Sequence, residues 1–177
     1  MKRSAIFSVL LLSAMTPLVA QAQTPEPSGP ELVEVDVADM KRVAVPSFVA
    51  PQPADTIAGN TANLSRQIAE VISANLRSSG LFEPVGPGGL RAITLGEVTA
   101  PQYDYWKGRS ADQLIEGFVK VGSDGNLTIG CYLYDVNFGN EVTRLGFVLP
   151  PAEWRRAAHK CSDAMYSKLT GENPFFD

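Results

Sequence analysis

Residues 111–136, "ADQLIEGFVKVGSDGNLTIGCYLYDV", decide the fold. Two apolar runs flank "SDGN" at 123–126, and Asp-Gly tolerates the positive φ values of a tight turn, so the stretch predicts an antiparallel hairpin. In its second strand Leu127, Ile129, Cys131 and Leu133 share one face, while Thr128, Tyr132 and Tyr134 share the other. The first face is expected to meet helices. A further turn, "NFGN" at 137–140, leads to a third strand, "VTRLGFVL" at 142–149, which completes a meander.

The flanking segments supply the helices. After the meander Pro151 opens a helix whose apolar stripe is Trp154, Ala157, Ala158, Cys161, Met165 and Leu169; Gly171 stands at its left-handed cap and Pro174 just beyond, ahead of Phe175 and Phe176. Before the meander, Leu64, Ile68, Val71, Ile72 and Leu76 recur at three and four over residues 61–79, which predicts a helix capped by Gly80. "LFEPV" at 81–85 reads as a short strand and "GPGG" at 86–89 as a loop; residues 91–109 are ambiguous, with at most a short helix near "YDYWKG". "RVAVPSFV" at 42–49 reads as a buried strand and residues 50–59 as a polar loop, while "LVEVDV" at 32–37 alternates apolar and acidic residues as a half-exposed strand does. The class is α/β: a mixed sheet of about five strands with two long helices on one face.

Residues 1–22 read as a secretory signal, with Lys2 and Arg3 ahead of an apolar run too short to span a bilayer and "AQA" at 20–22 as the cleavage pattern. Residues 23–31 form a proline-rich flexible leader, and residues 32–170 a single domain. The mature chain is therefore expected in an exported compartment. Since the signal holds Lys2 and Arg3, 13 bases face 19 acids in the exported chain, a net charge of −6 that argues against a nucleic-acid surface.

Cys131 and Cys161, both on apolar faces of an exported chain, are expected to form a disulfide; two buried thiols packing as small apolar groups are the alternative. Enzyme chemistry finds little support. His159 is the only histidine, "GPGGL" lacks the Lys-Ser/Thr of a phosphate loop, and Arg155, Arg156 and Lys160 read as a solvated helix face. No cofactor or metal is expected.

Several stretches together resemble a known family. "AEWRRAAHKCSDAMYSKLTGENPFFD", "AVPSF", "ISANLRSSGLFEPV" and "YLYDV" are similar to the amino-terminal domain of the TolB family of the Tol-Pal system in its alphaproteobacterial form. The resemblance implies an anticodon-binding-like α/β domain whose leading segment binds the inner-membrane protein TolA, with a role in outer-membrane integrity and in envelope constriction during division. In that family the "LTGE…FFD" segment runs into a six-bladed propeller. Residues 171–177 are thus expected to be the remnant of a linker, with binding of the lipoprotein Pal only if the propeller is present. The partner-binding element is expected to be Leu32, Val33, Glu34, Val35, Asp36 and Val37, added as a strand to a partner's sheet, although acidic residues on such a strand equally protect an edge from accidental pairing. The other readings are a stand-alone activator docking on a cell-wall enzyme and, more remotely, an exported hydrolase.

Overall fold

The computed structural model describes residues 40–176. The signal, the leader and the strand expected at 32–37 lie outside them. Strand β1 (Lys41–Ala44) is followed by a small ribbon of β2 (Asp55–Thr56) and β3 (Gly59–Asn60), helix α1 (Thr61–Ser78), β4 (Phe82–Val85) and a short helix α2 (Tyr103–Lys107). The meander β5 (Gln113–Val121), β6 (Leu127–Asp135) and β7 (Asn140–Leu149) comes next, and helix α3 (Trp154–Thr170) last. Five strands form one mixed sheet in the order β4-β1-β5-β6-β7, with β1 parallel to both neighbours and the meander antiparallel.

Local chemistry sets the boundaries. The Asn60 side chain accepts a hydrogen bond from the Ala62 N–H at 3.0 Å and caps α1, and Gly80 just past the helix takes φ 72°. Gly171 caps α3 at φ 76°, as its position predicts. Pro151 opens a single 3₁₀ turn over Pro151–Glu153 before α3 begins, a tighter start than the continuous helix expected.

The strand expected over residues 42–49 forms a ladder only as far as Ala44, because Pro46 has no N–H to give. The chain beyond stays extended in part: Val45 N–H donates to Val85 O at 2.8 Å, and Val49 N–H to Gly117 O at 2.8 Å. The polar loop expected over residues 50–59 contains the β2–β3 ribbon, whose tip residue Ile57 is 88% exposed.

The helices cover one face as expected. Leu127, Ile129, Cys131 and Leu133 of β6 pack with Leu64, Ile68, Ile72 and Leu76 of α1 and with Ala157, Ala158, Cys161 and Met165 of α3. Each such side chain stabilises the fold by roughly 1.5–3 kcal/mol when large and fully buried. Cys131 and Cys161 are joined by a disulfide, with Cα atoms 6.3 Å apart, tying the middle strand to α3. Gly117 lies under the Phe48 ring, and any Cβ there would collide with that ring and with the Gly130 carbonyl.

The opposite face is also covered. Residues 91–109 fold over it, and Ile93, Val98 and Trp106 make a second core with Ala44, Leu114, Tyr134 and Val136. Irregular backbone and a five-residue helix do this work, so the segment carries no periodicity from which the layer could be read.

Candidate functional site

The expected partner-binding residues, Leu32 to Val37, lie outside the described residues, so the structure bears on where that segment enters the domain. It enters at the start of β1, in the interior of the sheet. There Arg42 N–H donates to Asp112 Oδ2 at 2.9 Å, Asp112 N–H returns to Arg42 O at 2.8 Å, and the Arg42 guanidinium lies 3.3 Å from Glu83 on β4. The β6–β7 turn carries Phe138, 85% exposed, and adjoins the same end of the sheet, because Gln113 pairs with Asp135 and Asp135 with Asn140.

A buried polar group lies under the 91–109 segment. Alternation along β5 turns Glu116 away from the helices, toward the side of Leu114, and it is fully buried, with neither carboxylate oxygen hydrogen-bonded. Burial pushes its carboxyl up to about 8; the negative charge of Glu97 adds to the rise and Arg91 opposes it. Glu97 is also buried yet goes the other way, down to about 2, because Arg91 donates to it through both terminal nitrogens and the Thr94 N–H donates at 2.8 Å. Arg91 in turn lies over the Tyr105 ring, 4.4 Å from its centroid. The arrangement fastens the covering segment and leaves one acid beneath it in the neutral form at pH 7.

The α1–α3 seam holds a second polar group. Asn75 Nδ2 is 2.9 Å from His159 Nδ1 and 2.9 Å from Ser162 Oγ, and Ser162 Oγ donates to Ala158 O at 3.0 Å. His159 is therefore part of a helix clamp. The Asn75 amide bridges the imidazole and the serine hydroxyl, and the hydroxyl proton goes to the Ala158 carbonyl. Sequence reasoning missed both this clamp and Glu116. The clamp joins residues far apart in sequence, and Glu116 reads as a polar interruption of an apolar run.

At the carboxyl end, Phe175 and Phe176 turn back onto α3. Their rings lie 5.3 and 5.6 Å from that of Tyr166, and Phe176 N–H donates to Asp163 Oδ1 at 2.9 Å. Phe175 nevertheless stays 58% exposed.

Comparison with known proteins agrees with the fold. The TolB amino-terminal domain matches residues 32–142. The chain is 48% identical to the Tol-Pal system protein TolB of Sphingopyxis alaskensis over 95% of its own length and 38% of that relative, and 45% identical to that of Zymomonas mobilis over 97% and 40%. It therefore spans about two-fifths of the length of these curated relatives. Among solved structures, TolB from Acinetobacter baumannii superposes with a TM-score of 0.59 at 21% identity, covering 76% of this chain and 29% of that one, a likeness of fold. With a sheet and helix pair of this kind and a domain match over most of its described length, the chain belongs to the TolB amino-terminal domain family.

Proposed function

We propose that this chain is a non-enzymatic periplasmic interaction module of the Tol-Pal system that binds TolA through residues 32–37. The observation that carries this reading is the family match, which begins at residue 32 and so takes in the acidic segment directly before β1. Val33, Val35 and Val37 fall on one side of an extended chain and Glu34 and Asp36 on the other. Added to a partner's sheet, such a segment supplies main-chain hydrogen bonds for affinity and alternate side chains for selectivity. The polar, proline-rich leader before it lets it extend outward without breaking a core.

Within this reading the folded domain presents the segment and the contact supports outer-membrane integrity and envelope constriction. Pal contact belongs to the chain only where a propeller follows. No helix among the described residues is long and apolar enough to cross a membrane, and none of their His, Cys, Asp and Glu side chains form a group able to hold a metal.

The test is a calorimetric titration of the periplasmic domain of TolA against the chain with and without residues 23–37. Loss of binding on deletion supports the assignment; equal affinity moves the TolA contact to the folded domain. Raising salt is expected to slow association more than it speeds dissociation, because the acidic segment acts at range by steering.

A further inference from the structure

The sheet ends in two unlike edges. β4 has four residues, one of them Pro84, and its Glu83 is tied to Arg42, so that edge is blunted against pairing. β7 has ten residues and no proline, and among the described residues no strand lies on its outer side. Its Val148 is 69% exposed. Along β7 runs a groove lined by Phe147, Leu149 and Ala157 and flanked by Arg156 and Lys160 of α3. These bases stand out on an acidic chain. Glu153 lies 3.6 Å from Arg156, while Lys160 has no ion pair among the described residues.

We propose that β7 is a docking edge for residues 31–37 of a second copy of this chain, so that two copies associate by strand addition. The chemistry of segment and edge match. Leu145, Phe147 and Leu149 face the helices, and Val33, Val35 and Val37 would extend that row over Ala157. Glu31 shares the valine face and meets Arg156 and Lys160; Glu34 and Asp36 fall on the side of Arg144.

Reach decides between the chain's own segment and a partner's. From β1 to a strand outside β7 is four strand spacings, about 19 Å. The four residue steps from Val37 to Lys41 span at most about 14 Å even when fully extended. The segment of the same chain falls short, and the segment of a second copy does not. Reciprocal exchange closes a dimer.

The experiment is sedimentation velocity of the chain purified from periplasm, over a range of concentrations, with amide exchange read on β7. A dimer whose formation slows exchange along β7 is expected. Arg156→Glu with Lys160→Glu is expected to weaken association at least tenfold, and so is Glu31→Lys with Glu34→Lys and Asp36→Lys. Mixing those two variants restores one of the two interfaces and, with it, hetero-association. A chain that stays monomeric, a dimer that leaves β7 exchange unchanged, or a dimer indifferent to the segment substitutions, as direct β7–β7 pairing would be, each overturns the proposal. Because self-association and TolA compete for residues 32–37, the groove variant is expected to bind TolA more tightly than wild type at concentrations where wild type is dimeric and equally at concentrations where it is monomeric, which separates this surface from the TolA contact.

Discussion

The side-chain amide of Asn75 on α1 donates to the buried hydroxyl of Ser162 on α3 at 2.9 Å, and this bond fixes the register of the helix pair. Asn75→Ala leaves a fully buried hydroxyl and the His159 ring without that partner, and is expected to cost about 1–3 kcal/mol. Urea unfolding of Asn75→Ala, Ser162→Ala and the double variant gives the coupling energy. Additive costs would mean that the bond contributes nothing across the seam.

Cys131 and Cys161 close a loop with a sequence separation of 30. In the chain-entropy picture such a cross-link stabilises by about 3–4 kcal/mol, so reduction is expected to lower the urea midpoint by the corresponding amount. Thiol titration of the unreduced, denatured chain is expected to find no free thiol. Two thiols would refute the pairing.

Glu116 gives the domain a pH dependence of unusual sign. Its folded-state value is about 8 and its ordinary value 4.5, so between these pH values the unfolded chain has released a proton that the folded chain keeps, and stability falls as pH rises. The slope of about 1.4 kcal/mol per pH unit gives a loss on the order of 4–5 kcal/mol across the window. Glu116→Gln is expected to flatten this limb and to be the more stable protein at pH 8. Glu97 acts in the opposite sense: its value is lowered from 4.5 to about 2, so its contribution is present above 4.5 and is lost as pH falls toward 2. Unfolding curves for wild type and Glu116→Gln at pH 3, 5, 7 and 8.5 separate the two groups. The loss from pH 5 to 3 that both proteins share belongs to the carboxylates of lowered value such as Glu97, and the loss from pH 5 to 8.5 that only wild type shows belongs to Glu116.

Gly117→Ala is expected to destabilise by about 1–3 kcal/mol, because the added methyl meets the Phe48 ring and the Gly130 carbonyl at once. Phe48→Leu in the same chain relieves the ring contact and leaves the carbonyl contact. Partial recovery in the thermal midpoint of the double variant is the outcome that fits this geometry.

The elements with a strong period were legible in the sequence. The α1 stripe from Leu64 to Leu76, the α3 stripe from Trp154 to Met165 and the β6 alternation all come from faces that meet one apolar layer. Asp124-Gly125 located the first meander turn, and Gly80 and Gly171 the helix ends. The cover over the second face was not legible. Ile93, Val98 and Trp106 reach it from turns and a five-residue helix, where burial has no regular spacing. Glu116 escaped for a related reason: a charged letter in a strand reads as a solvent-facing position until the layer above it is known. Of the expected site residues, the cysteines occupy the apolar layer assigned to them, while residues 32–37 lie outside the described residues.

The position of β1 inside the sheet sets the order in which the domain can assemble. β5, β6 and β7 are neighbours in sequence and zip together through turns of a few residues, whereas β1 meets β5 across a separation of 70, seen in the Arg42 to Asp112 bond. Closing the longer loop costs more chain entropy before any contact repays it. In a chain emerging amino-terminus first, the strand made first is therefore seated late. Until β4 and then β5 arrive, β1 lacks one or both of the strands that flank it.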